Sequence, residues 1–117
     1  NADIYRPRFI YLKINDSTSS AAEDIVSFPS KFYLQQNYPN PFNPSTKISF
    51  AVPNRTNVSI RIFNALGELV SELINKNYDA GHYEVIFNAS SGLSSGVYFY
   101  RMEAGEFVQT NKMILIR

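Results

Sequence analysis

"KISFAVPNRTNVSIRIFNALG", residues 47 to 67, decides the fold. In "KISFAV" the apolar side chains Ile48, Phe50 and Val52 fall at every second position, and in "NVSIRIF" Val58, Ile60 and Ile62 do the same. An extended chain sends successive side chains to opposite faces, so each run reads as a strand with one face toward a core. "NALG" ends the second run, and Gly67 suits the left-handed position that closes a four-residue hairpin loop.

Downstream, "ELVSELI" (68 to 74) carries Leu69, Val70, Leu73 and Ile74, a spacing that fits a helix as well as a bulged strand. Its neighbours leave no room for a helix of useful length, so it reads as a strand. "DAG" at 79 to 81 turns the chain into "HYEVIF", where Tyr83, Val85 and Phe87 alternate. "ASSGLSSG" (89 to 96) is a loop, and "VYFYRME" after it is aromatic on both faces at Tyr98, Phe99 and Tyr100, as expected of a central strand. Ala104-Gly105 makes a tight turn into "EFVQ", and "NKMILIR" supplies the last strand up to Arg117. Six or seven short strands with glycine-containing turns imply an all-β chain, an antiparallel immunoglobulin-like β-sandwich of about seven strands with an N-terminal extension.

Immediately before the first of these strands stands "QQNYPNPFNPSTKISF" (35 to 50), with Pro39, Pro41 and Pro44 in six positions. Each proline fixes its own φ and pushes the residue before it toward extended geometry. Three missing N–H donors bar the segment from a central strand and send it along an edge or across one end of the sandwich. Asn40 and Asn43 can turn their side-chain oxygens onto backbone N–H groups two residues on. Phe42, the one large apolar residue in the proline frame, is expected to plug the bottom of the core.

Further upstream, "RPRFIYLKIN" (6 to 15) is rich in β-formers and predicts one strand from Phe9 to Ile14. "DSTSSAAED" (16 to 24) is small and polar with no apolar period. The chain therefore divides into residues 1–15, the terminal strand of a preceding domain or an extension pairing back; residues 16–31, a flexible linker; and residues 32–117, one folded domain.

Composition narrows the function. Of 117 residues 44% are hydrophobic and 15% aromatic, enough for one domain with a real core. Eleven Lys and Arg against ten Asp and Glu are scattered along the chain, so there is no basic face for nucleic acid. Cysteine is absent, which excludes disulfides and thiolate metal sites. No apolar stretch approaches the ~20 residues of a transmembrane segment. The chain starts at Asn1 without a charged and then apolar segment, so no targeting signal is visible at this end, and it reads as a piece of a longer precursor.

Chemistry has little to work with. His82, the one histidine, sits beside Gly81 at a strand start and reads as a surface residue rather than a triad base. Asp79, Glu84, Glu68 and Glu72 match no metal-loop spacing, which leaves an ion held by loop carbonyls as the only metal option. No glycine-rich loop precedes a helix, so cofactors that need one have no cradle. Glycosylation-like triplets begin at Asn15, Asn54, Asn57 and Asn88, as chance allows in an Asn- and Ser-rich chain. Eight Tyr and nine Phe raise a carbohydrate-binding face, although the alternation claims most of these rings for the core.

From Leu34 to Arg117 the chain resembles the C-terminal sorting domain (type A family) of proteins exported by the type IX secretion system of Bacteroidetes-related bacteria. The resemblance is carried in order by "LQQNYPNPFNPSTKISFAVP", "VSIRIFNALGELVSEL", "AGHYEVIFNASSGLSSGVYFYRM" and "GEFVQTNKMILIR". Phe87-Asn88 departs from the expected Trp-Asp or Phe-Asp, and Arg117 stands where Lys is also common. The resemblance implies a non-catalytic domain, free of cofactors, that follows a secreted cargo and is read by the outer-membrane type IX translocon after transit through the periplasm. It implies further that a sortase-like surface peptidase can remove the domain and join the cargo to a lipopolysaccharide. The signature positions so implied are Asn40, Pro41, Phe42, Asn43 and Pro44, then Gly67, Gly96, Tyr98, Tyr100 and Gly105, and finally Lys112, Met113 and Arg117. Cleavage is expected between Asp16 and Lys31, where polar backbone can enter a protease. The alternative is an immunoglobulin-like carbohydrate- or protein-binding module of a secreted enzyme.

Overall fold

The computed structural model describes residues 28–117 throughout, and upstream of them the backbone of three short strands. Those are β1 (Tyr5–Pro7), β2 (Ile10–Tyr11) and β3 (Val26–Ser27). The domain itself is built from β4 (Tyr33–Leu34), β5 (Ser45–Val52), β6 (Thr56–Asn64), β7 (Leu69–Tyr78), β8 (Gly81–Asn88), β9 (Gly96–Ala104) and β10 (Phe107–Leu115). One antiparallel sheet runs β1-β8-β5-β4 and the other β10-β9-β6-β7, while β2 pairs with β3. This is the expected all-β sandwich. Of the expected strand from Phe9 to Ile14, Ile10 and Tyr11 are in β2, and the remainder lies outside the described residues, as do residues 16–25 of the linker.

The two sheets share a core because the period-two pattern holds strand after strand. Ile48, Phe50 and Val52 on β5 face Val58, Ile60 and Ile62 on β6, all at most 1% exposed. Tyr83, Val85 and Phe87 add the β8 contribution, and Tyr98, Tyr100 and Met102 that of β9. Burying one such side chain stabilises the fold by roughly 1.5–3 kcal/mol. Near the β7–β8 turn, Phe50, Tyr78 and Tyr83 form a ring cluster with centroids 4.7 to 5.5 Å apart. β9, the aromatic strand, lies between β10 and β6, as a strand apolar on both faces should.

Turn chemistry follows the sequence with small shifts. Gly67, at φ +86°, closes the four-residue loop between β6 and β7, and its N–H donates to the Asn64 carbonyl at 2.9 Å. "ELVSELI" is a bulged strand: the β6–β7 register shifts twice, between Ile60 and Arg61 and between Ile62 and Phe63. The bulge turns adjacent Leu73 and Ile74 both inward, which is why the spacing also fitted a helix. The β9–β10 turn is Gly105-Glu106, one residue later than expected, with Gly105 at φ +60°. β8 and β9 open alike: Tyr83 donates its hydroxyl to the Asp79 carbonyl at 2.7 Å, and Tyr98 to that of Ser94 at 2.8 Å. Each tyrosine thereby ties the loop before its strand to the strand itself.

Candidate functional site

The proline segment crosses from one sheet to the other. It leaves the β5 side through a bridge between Tyr38 and Lys47, whose backbones exchange bonds of 3.0 and 2.9 Å. It then lies parallel beside β10, where Phe42 donates to Ile114 O and accepts from Ile116 N, both at 2.9 Å. The segment runs along an edge and over one end, as three missing donors require. The peptides before Pro39, Pro41 and Pro44 are cis. Phe42 is 2% exposed and packs edge-on to Phe87 at 6.0 Å, plugging the core as its position predicts.

Asn40 behaves differently from expectation. Its Oδ1 accepts from the N–H of Ile114 at 3.0 Å, so the side chain spans to the last strand instead of turning onto its own backbone. That bond satisfies a β10 donor that an edge strand would otherwise present to solvent.

A polar network fastens the stretch just upstream, and sequence reasoning missed it. Asn37, only 2% exposed, donates through Nδ2 to Thr46 Oγ1 at 2.9 Å and to the Pro39 carbonyl at 3.1 Å. Thr46, equally buried, donates to that same carbonyl at 2.8 Å. The Asn37 N–H donates to the Tyr100 hydroxyl at 2.8 Å, and that hydroxyl donates to the Gln35 carbonyl at 2.7 Å. Asn111 adds a bond to Tyr100 at 3.2 Å, and Gln36 reaches the Lys112 carbonyl at 2.7 Å. Burial raises the pKa of the Tyr100 hydroxyl above the ordinary tyrosine value, against a weaker pull downward from Asn111 and Asn37. The available signal was polar residues at positions where "QQN" and "PST" flank the prolines.

The remaining signature residues fall mostly at this end of the sandwich. Pro41 and Asn43 are exposed, and the Pro44 carbonyl accepts from Ala89 N at 2.9 Å. Gly96 and Leu115 are paired across β9 and β10, and Tyr98 is paired with Asn64 beside the Gly67 loop. Met113 is fully buried and Lys112 exposed. Arg117 fastens loop 89–95 to the chain after β10: its N–H donates to Ser95 Oγ at 2.8 Å, its Nε to Leu93 O at 2.7 Å, and its Nη2 to Ser90 O. Those loop carbonyls therefore face a guanidinium. Gly105 is apart from the group, at the opposite end.

The titratable groups singled out in the sequence are dispersed. His82 is half-buried and its Nδ1 lies 3.3 Å from the Tyr33 hydroxyl. Asp79 pairs with Arg55, Glu84 with Lys47, Glu72 with Arg61, and Glu68 with Asn64. Among the described residues no three His, Asp or Glu side chains are grouped to hold a metal, and no helix is long and apolar enough to cross a membrane. Asn54, Asn57 and Asn88 are exposed, and Asn15 lies outside the described residues. Among the described residues seven Tyr and Phe rings are in the core, and Tyr38 and Phe28 are the largely exposed ones.

The fold and this fastened end define a β-sandwich whose entry segment is bonded to its last strand. The family model for the secretion system C-terminal sorting domain matches residues 36–117. The chain belongs to that family, the sorting signals of type IX secretion, which are not enzymes; membership implies a secreted or cell-surface protein that meets the type IX machinery. Comparison with curated proteins and comparison with solved structures each gave no match.

Proposed function

We propose that residues 32–117 carry an upstream cargo from the periplasm through the outer-membrane type IX translocon, and that the translocon reads the end where the proline segment meets β10. One observation carries this reading: Asn40 and Phe42 bond directly to Ile114 and Ile116, so the two extremities of the matched stretch form one unit. A rigid, pre-bonded segment loses little entropy on being bound. The other signature residues, Pro41, Asn43, Pro44, Tyr98, Tyr100 and Met113, support or flank that unit. A sortase-like peptidase then cuts between Asp16 and Lys31 and transfers the cargo to a surface lipopolysaccharide.

The test is export of a fluorescent reporter fused to residues 16–117 in a type IX-competent bacterium, beside a fusion lacking Lys112 to Arg117 and a translocon-deficient strain. Surface or medium fluorescence that needs both the last residues and the translocon is expected. Periplasmic retention of a folded full fusion would overturn the reading.

A further inference from the structure

The outer face of the β10-β9-β6-β7 sheet is sharply divided. Register sets Leu69 opposite Phe63, Phe63 opposite Phe99, and Phe99 opposite Lys112. Val97 and Ile114 make the next rung toward the hairpin end, where Leu66 stands at the tip of the β6–β7 loop. Leu66 is 83% exposed and Leu69 58%. An apolar band thus crosses the sheet, and Leu66, Ala65 and Val97 share with Asn64 and Ser95 the lining of an open hollow of about 220 Å³.

Charges border this band in a definite way. On the rung beyond Phe63 and Phe99, Arg61 stands opposite Arg101, and their carboxylate partners are Glu72 at 3.2 Å and Glu103 at 3.5 and 3.1 Å. The Arg101 guanidinium lies 4.7 Å over the Phe63 ring. Lys112, at the end of the band, has no carboxylate within ion-pair distance among the described residues. Phe63, Val97, Phe99 and Ile114 are half-buried and Leu66 and Leu69 exposed, and an apolar strip with a polar rim on the outer face of a sheet marks an interaction surface. Glu72 and Glu103 neutralise Arg61 and Arg101, which leaves Lys112, among the described residues, as the single uncompensated cation of this face, too little positive charge to hold an anionic lipid surface. Since the bordering carboxylates are already held by Arg61 and Arg101, the partner for Lys112 has to bring its own.

We propose that this band docks a protein of the export machinery that presents an aliphatic or aromatic side chain to the hollow beside Leu66 and a carboxylate to Lys112. The inference rests on the sorting function proposed above and adds to it the outer face of the β10-β9-β6-β7 sheet, which adjoins the Asn40 end at Ile114.

The test uses the full chain and detergent-purified outer-membrane type IX translocon as the probe. The double substitution Leu66→Ser with Leu69→Ser should weaken binding about tenfold or more, given the apolar area removed. Lys112→Glu should weaken it as well, and Glu106→Ala, at the far turn, should leave it unchanged. All these side chains point outward, so melting temperatures should agree within about 3 °C. Binding that survives both the double substitution and Lys112→Glu overturns the docking surface alone, whereas a wild-type chain that fails to bind the translocon overturns it together with the reading beneath it. Self-association abolished by the Leu66 and Leu69 substitutions, or capture on phosphatidylethanolamine–phosphatidylglycerol vesicles without translocon binding, would assign the band to a second copy or to lipid and overturn the proposal.

Discussion

The backbone N–H of Asn37 donates to the hydroxyl of Tyr100, 63 residues away in the chain, at 2.8 Å. The same hydroxyl donates to the Gln35 carbonyl at 2.7 Å, so one oxygen in the middle of β9 holds the backbone at two positions, 35 and 37, of the segment that leads into the prolines. Tyr100→Phe keeps the ring and leaves a buried N–H unpartnered. A loss of about 1–3 kcal/mol is predicted, read as a lower urea midpoint with an unchanged slope.

Alkaline stability follows from the same group. Burial raises the folded-state pKa of Tyr100 above the ordinary tyrosine value of about 10 that serves for the unfolded chain. Its contribution is therefore complete below about pH 10 and is lost as pH rises through the folded value. Urea midpoints measured from pH 8 to 12 should fall at the alkaline end, and Tyr100→Phe should flatten part of that fall. An identical decline in both proteins would remove Tyr100 from the account.

Phe42→Ala deletes a ring that is 2% exposed and packed on Phe87. The cavity should cost about 3–5 kcal/mol, a drop in melting temperature easily seen by calorimetry.

Gly67→Ala isolates a backbone effect, because an added Cβ meets no atom within 4 Å but must adopt φ +86°. A destabilisation of about 1–2 kcal/mol is expected from that conformation alone. By contrast Arg55→Ala breaks an ion pair whose side chains are 64% and 74% exposed, and chemical denaturation should register less than about 1 kcal/mol.

Replacing Pro39, Pro41 and Pro44 by Ala should lower reporter export more than it lowers melting temperature, since the prolines restrict the chain before binding. Equal proportional losses would reduce them to a structural lid.

Legibility from sequence tracked the range of the interactions. Ile48, Phe50, Val58 and Ile60 announce their burial through spacing alone, because strand geometry converts period two into faces. Gly67 was readable because a left-handed residue leaves few alternatives to glycine. Asn37 and Thr46 were not, since a polar residue carries no sign of being buried until its partners from elsewhere are placed around it. Asn40 shows why: a local turn was the nearest available bond, yet the donor it meets is 74 residues downstream. The arrangement at the prolines could be placed at an edge or end by counting missing donors, but the choice of β10 as the edge depends on the finished sheet order.

The bonds between residues 36–42 and residues 112–116 are among the longest-range in sequence, and an emerging polypeptide cannot make them until residues 112–116 have been added. Local hairpins such as β6–β7 can form while synthesis continues, whereas this closure waits for the final strand and carries the slow step expected of non-local pairing. A chain cut short before Lys112 would still hold the proline motif in full yet lack the bonds that Ile114 and Ile116 make to Asn40 and Phe42. If the machinery reads the clasped form, a chain that stops before Lys112 carries a label that cannot be read.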